Sequence, residues 1–426
     1  MMTAGSLYGN RDFLRYWSAG AVSELGTALS LIAFPLLVLS LGGDPAQAGV
    51  VATCSLISRL VLRIPGGLLA DRWNRRVLML AGDAIRMVAL GSIPLASAFG
   101  HLTYSQLLVV AVVEGAATAL LFAPASSIAF RDVVAKEHLA EAMSRTQATD
   151  GVIAMAGPAL GGALYGVDRI LPFALDSISY ALSAVLLLAM RTKVPNTDVG
   201  RTADSKGWSA GLRWLRRQPA LLRALSFGTV VNIAGTAAEV GVVVSLRAGG
   251  ASGTAIGAVM ACAGAGAVGG SLLAPKVIGR TRPGAALALA GAIWTCGFVL
   301  ISVTETLWVV GATLVVMIGV TPIGNIAMGT ALVGGTPREL LGRVNTAAGT
   351  LTSGLASLGP LMAGVLLQTF APRTSWLVLA ALCGVGTAVF AGPLLRLTEL
   401  VKPIAVPEPG SGPDPAPDGT IATTMR

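Results

Sequence analysis

Gly67-Leu68-Leu69-Ala70-Asp71-Arg72-Trp73-Asn74-Arg75-Arg76 closes one long apolar run and opens the next. An acid and three arginines within six residues cannot lie in hydrocarbon, where a charge has no water to solvate it. The stretch therefore reads as the tip of a hairpin between two membrane spans, and its arginines put that tip on the cytoplasmic side.

Composition agrees. Of 426 residues, 54% are hydrophobic and 12% charged, against roughly 25% charged in a soluble domain, and the mean hydropathy is +0.74. The net charge of +9 is spread over short connections between apolar runs, which excludes a nucleic-acid-binding face. Cys54, Cys262, Cys296 and Cys383 each fall singly inside apolar segments, as core residues rather than disulfides or ligands. No metal or cofactor is expected. Arg11, Asp12 and Arg15 lead into an apolar run longer than a signal's core, with no small-residue cleavage site, so the first span is expected to stay in the protein.

A bilayer crossing takes about 20 mostly apolar residues, and the chain offers twelve such stretches. They run 13–41, 46–70, 76–98, 103–124, 140–166 and 170–190, then 220–247, 253–275, 283–303, 306–333, 338–368 and 374–396. The expected organisation is all-α and integral to the membrane. It comprises an N-terminal tail (1–12), a six-helix bundle (13–190), a cytoplasmic linker (191–219), a second six-helix bundle (220–396) and a disordered tail (397–426). With both termini cytoplasmic, 23 of the 30 Lys and Arg fall on the cytoplasmic side and only Arg169, Arg247 and Arg373 on the other, the positive-inside pattern.

The halves repeat. Lys136-Glu137-His138-Leu139 followed by Gly157-Pro158-Ala159-Leu160-Gly161-Gly162 reappears, 202 residues later, as Arg338-Glu339-Leu340-Leu341 followed by Gly359-Pro360-Leu361-Met362-Ala363-Gly364. Helices 5 and 11 are thus equivalents in two pseudo-symmetric bundles. In the linker, Trp208, Leu212, Leu215 and Leu222 space an apolar stripe among Arg213, Arg216, Arg217 and Arg223. That pattern fits an amphipathic helix on the inner leaflet, broken at Pro219, or a solvated basic linker.

The order Gly67, two or three small or apolar residues, Asp71-Arg72, two residues, Arg75-Arg76 resembles the loop between helices 2 and 3 of the major facilitator superfamily of secondary transporters. Phe122-Ala123-Pro124-Ala125, the linker and Thr336 to Val344 resemble one subgroup, the macrolide- and enterobactin-exporter-like drug:proton antiporters. The likeness runs from about Asp12 to Arg396. It implies the major facilitator fold, alternating access about a midplane site, a proton gradient as the energy source and no cofactor. It also implies that Asp71 packs against the start of helix 11 in the outward-facing state. The local residues suit this, because Thr336, Pro337 and Glu339 spell an N-cap, a first-turn proline and an acid at the third helical position. Asn74 stands where the superfamily usually has Gly, and Asn tolerates a left-handed turn. Gly67, Asp71, Arg72, Arg75, Arg76, Asp83 and Arg86 form the expected conformational gate, in which Asp83 and Arg86 read as a local structural pair near the cytoplasmic end, with Asp83 alternatively joining the Asp71–Arg72 cluster. Gly151, Gly157, Pro158, Gly161 and Gly162 resemble the helix 5 antiporter motif, in which small residues let helix 5 approach helix 8 and the proline bends it.

Charges within spans cost roughly 2.5–3.5 kcal/mol each at a helix centre, so they line a wet cavity or pair. Glu24, Glu114 and Glu239 in helices 1, 4 and 7 are candidates for binding protons or cations. Arg59 and Arg63, one turn apart in helix 2, would hold Glu24 or Glu114 ionised or bind an anionic group. Asp150 is a further cavity candidate, whereas Asp176 matches a packing position. Asn232 and Asn325 read equally as substrate contacts or as interhelical glue. The expected function is export of a bulky lipophilic molecule, such as an antibiotic, drug or siderophore-like metabolite, from a monomer in the inner membrane with small molecule, protons and lipid as its partners. An importer or a non-transporting sensor is the alternative. A membrane enzyme is disfavoured because His101 and His138 stand alone in loops.

Overall fold

The computed structural model describes residues 9–190, 212–304, 306–337 and 340–396; Trp208, Arg338, Glu339 and the segment 397–426 lie outside them. Among the described residues every span is helical and no strand occurs. The first bundle contains α1 (Arg11–Ser40), α2 (Pro45–Arg72), α3 (Arg75–Ala98), α4 (Tyr104–Val133), α5 (Leu139–Val167) and α6 (Leu171–Leu188). The second contains α7 (Pro219–Ala248), α8 (Gly253–Ile278), α9 (Pro283–Val303), α10 (Leu307–Gly319 and Thr321–Gly335), α11 (Leu341–Ala356 and Gly359–Thr369) and α12 (Pro372–Arg396). A 30-residue helix such as α1 is about 45 Å long and exceeds the hydrocarbon thickness. α5 is the one of the twelve whose most apolar stretch falls short of the others, with Asp150 and its glycines interrupting it.

Local chemistry places the ends. Asn10 accepts from the amides of Asp12 and Phe13, and Asp44 and Gln47 form a reciprocal capping box at the start of α2. Ser252 caps α8 as Asp44 caps α2. Gly42, Gly100 and Gly250 take φ of +83°, +71° and +82° in the tight turns after α1, α3 and α7, where a side chain would strain the backbone.

Four expectations need correction. Phe122-Ala123-Pro124-Ala125 lies inside α4, which runs on to Val133 through a π-helical turn at Thr118–Phe122. Pro124 has no N–H to give the α-helical ladder, and the widened turn absorbs the gap. Asn74 is extended (φ −62°, ψ 115°), not left-handed, and its side chain caps α3 by accepting from Arg76 and Val77. Thr336 does not cap α11: regular helix starts at Leu341, and the Thr336 hydroxyl is buried with no partner among the described residues. In the described part of the linker, residues 212–216 are helical, but Leu215 is fully buried against Leu221, Leu332, Val344 and Ala348. Leu215 and Leu222 of that stripe therefore meet protein.

The bundles are pseudo-symmetric in their contacts. α1 packs on α5 and α6 as α7 packs on α11 and α12, and α3–α6 matches α9–α12. Between bundles, α5 meets α8 and α2 meets α11. A Cβ on Gly162 would strike the Gly253 carbonyl and Gly257, and one on Gly364 would strike Pro45 and Ala46. These equivalent glycines hold backbone against backbone at the end of the molecule remote from the arginines. There Thr53 accepts from the Leu361 amide at 3.0 Å and Gln368 donates to Asp44 at 3.2 Å. Nearer the basic end, α2 meets α11 at Leu60 and Gly354, and α5 meets α8 at Gly151 and Val268. Asp71, Arg72 and Trp73 beyond them are exposed.

The repeated Gly-Pro differs in effect. α5 passes Pro158 unbroken, whereas α11 interrupts at Ser357–Leu358 before Pro360. Replacing Gly162 or Gly364 by Leu is expected to prise this end open at a cost of about 1–3 kcal/mol. In a cysteine-free background, Thr53→Cys should then react about tenfold faster with an impermeant maleimide, and an unchanged rate would refute the closure.

Candidate functional site

Gly115 brings α4 onto Ser55 and Ser58 of α2, and that approach sets Arg59 over Glu114. Arg59 Nη2 donates to both carboxylate oxygens, at 2.9 and 2.8 Å, and Thr118 donates to Oε1 at 3.0 Å from the first residue of the π-helical turn. Glu114 is 6% exposed, while the Arg59 side chain is 37% exposed and reaches open space. The acid is therefore sealed and neutralised, with the cation partly exposed. Removing only the cation leaves a buried charge unpaired, which is worth more than the pair itself.

Glu24 on α1 is exposed and makes no hydrogen bond or ion pair among the described residues. It lies within electrostatic reach of Arg59, Asp150, Arg86 and Glu114. Asp150 on α5 and Arg63 on α2 are likewise exposed, and the acids of α1 and α5 lie within electrostatic reach of each other.

Asp83 and Arg86 are not part of the Asp71–Arg72 cluster. Asp83 is wholly buried, bonded to Arg86 and accepting from Ser183 at 2.8 Å. The Arg86 guanidinium lies between the rings of Phe122 and Tyr180, 4.2 and 4.3 Å from their centroids. This pair ties α3 to α4 and α6. Asp176 is bound by Ser30 at 2.5 Å across α1 and α6. Among the gate residues, Arg75 pairs with Asp132 at 2.6 Å and Arg76 donates to the Leu188 carbonyl at 2.5 Å. They clamp α3 to the ends of α4 and α6 within one bundle. Gly67 meets open space, and Asp71 is exposed and makes no hydrogen bond or ion pair among the described residues, which leave out Arg338 and Glu339 at the expected contact with helix 11.

The helix 5 glycines divide their work. Gly157 packs on Ala28 and Gly161 on Leu29 of α1; Gly162 meets α8, with Gly151 near Val268. Gly359 packs on Thr236 of α7 as Gly157 packs on Ala28, which aligns the two 30-residue helices and sets Asn232 at the position of Glu24.

Asn232 and Asn325 line one cavity of about 300 Å³ between α7, α9, α10 and α11, together with Asn345, Thr352 and Trp294. Glu239 is exposed two helical turns from Asn232, hence on the same face of α7. Sequence reasoning missed Asn345 and Asp132. Both are ordinary polar residues near a span's end, and only their partners distinguish them.

The family model of the Major Facilitator Superfamily matches residues 16–360. The chain belongs to the major facilitator superfamily. Membership sets it among transporters rather than enzymes, as a multi-pass membrane protein. It is 28% identical over 268 residues to the uncharacterized MFS-type transporter YfiS of Bacillus subtilis (strain 168), covering 61% of this chain and 62% of that one. It is 30% identical over 182 residues to the multidrug efflux pump Tap of Mycobacterium tuberculosis (strain ATCC 25618 / H37Rv), covering 41% and 42%. The chain thus spans between two fifths and two thirds of the length of these relatives. Among solved structures, a bacterial homologue of the human lysosomal transporter Spinster, inward-facing and unoccupied, superposes with TM-score 0.70 at 17% identity, covering 94% of this chain and all of that one. The nucleoside transporter NupG superposes with TM-score 0.67 at 14% identity, covering 90% and 98%. At these identities the likeness to both structures is one of major facilitator fold.

Arg59→Met is expected to destabilise the protein by about 3–5 kcal/mol through the stranded Glu114, and adding Glu114→Gln to restore most of that. Thermal unfolding in detergent measures both, and equal losses in the single and double variants would remove the buried pair as the cause.

Proposed function

We propose that this chain is a secondary exporter that moves a bulky lipophilic small molecule outward by alternating access, in exchange for protons. The observation that carries the reading is the division of the acids. Glu114 is committed to Arg59, whereas Glu24 is exposed with no hydrogen-bond or ion-pair partner among the described residues. A carboxyl of that kind is available to a proton or a cationic group in turn. Glu239 supplies a second one on the other bundle.

The positive-inside rule assigns the basic end, and both termini, to the cytoplasmic face of the plasma membrane. The molecule then rests closed outward at Gly162 and Gly364 and accessible inward. Asp71 meets α11 only when the cytoplasmic end closes. The name of the efflux pump Tap supports the direction.

The test is accumulation of lipophilic antibiotics, dyes and siderophores in expressing cells, with and without a protonophore. Expression should lower accumulation of at least one compound. The protonophore, Glu24→Gln and Asp71→Asn should each return it to the level of cells lacking the protein. Lowered accumulation that survives the protonophore would sink proton coupling, and raised accumulation would make the chain an importer.

A further inference from the structure

We propose that the cavity between α7, α9, α10 and α11 is a subsite for the uncharged, hydroxyl- or carbonyl-bearing part of the transported molecule, read by the side-chain amides of Asn232, Asn325 and Asn345. The assignment rests on the transporter reading above and names the chemistry its substrate must carry. Three helices each contribute one amide to a single space of about 300 Å³. That is the lower end of small-molecule sites, roughly 300–1,000 Å³, and suits part of a larger ligand.

The lining fixes the ligand class. None of its 18 residues is ionisable. Its two threonines spend their hydroxyl protons on their own helices, Thr321 on the Met317 carbonyl and Thr352 on the Ala348 carbonyl. The amides are left. Each offers two N–H donors and a carbonyl acceptor, and none of the three side chains makes a hydrogen bond among the described residues. That removes interhelical bonding as their role here, and an idle amide inside a bilayer is costly unless water or a ligand meets it. Asn325 and Asn345 are exposed to the space, and nothing lies within 4 Å of where a Cβ on Gly329 or Gly349 would stand, so room remains beside them.

The pseudo-symmetry adds polarity. Asn232 occupies in α7 the place that Glu24 occupies in α1, so the first bundle presents a carboxyl where the second presents an amide. A molecule held between them is an amphiphile with a protonated amine toward α1 and neutral hydroxyls or carbonyls toward α7, its apolar body against Leu287, Trp294 and Met328. A site built to bond hydroxyls discriminates strongly against analogues that lack them.

Equilibrium binding of two matched probes, N-nonylpiperidine and its trihydroxy analogue, to the full chain in lipid nanodiscs tests this by titration calorimetry. The hydroxylated amine should bind about tenfold tighter to the unsubstituted protein. Asn325→Ala and Asn345→Ala should each cut that preference about fivefold while leaving N-nonylpiperidine unchanged. Gly349→Leu, whose added atoms meet cavity rather than protein, should weaken the hydroxylated probe alone. Equal binding of both probes, no binding of either, or a preference untouched by the asparagine variants overturns the assignment. Amide-dependent preference without protonophore-sensitive export would sink the export reading and leave the subsite standing. Export without that preference does the reverse.

Discussion

A carboxylate inside a bilayer must find a cation, a donor or water, and that constraint sorts the acids of this chain. Glu114 finds Arg59, Asp83 finds Arg86 and Ser183, and Asp176 finds Ser30. Each of these pairings joins or stiffens neighbouring helices of the first bundle. Glu24, Asp150 and Glu239 find none among the described residues and face open space instead. The second bundle carries Glu239 but no buried ion pair among its described residues, and it relies on apolar packing around Trp294, Phe298 and Trp376. The first bundle is therefore organised by charge, and the second by shape.

Glycine does the complementary work between the bundles. Without a hydrophobic drive to bring helices together in lipid, close backbone approach supplies the attraction. Gly162 against α8 and Gly364 against α2 are the same contact made twice by a duplicated sequence. Because both lie toward one end, the bundles meet there while Asp71 and Arg72 stay exposed at the other. The duplication is imperfect where it matters to a ligand: Glu24 and Asn232 are equivalent in position and opposite in chemistry.

Much of the fold was legible because bilayer physics writes itself along the chain. Apolar run length marks the spans, arginine placement divides the connections into two sets, and the Gly-Pro repeat marks α5 and α11 as equivalents. The site was legible only in outline. Intramembrane charge singled out Glu24, Arg59 and Glu114, but their division into a sealed pair and an open acid follows from the approach of α2 to α4 at Gly115. Asn74 and Thr336 show the limit of local rules. Asn74 caps a helix rather than turning left-handed, and the regular helix of α11 starts at Leu341, five residues after the Thr336 that the local signal marks as its cap.

By itself, then, the sequence determined what can stand in hydrocarbon: helices, their number, their duplication and the basic character of one set of connections. These depend on each segment's own composition against the solvent it meets. Only the tertiary structure decided which charge meets which partner, that Asn345 joins Asn232 and Asn325, and which end is closed. Those outcomes hang on contacts between residues tens to hundreds of positions apart, such as Arg59 with Glu114 and Gly49 with Pro360. No local period or propensity encodes them.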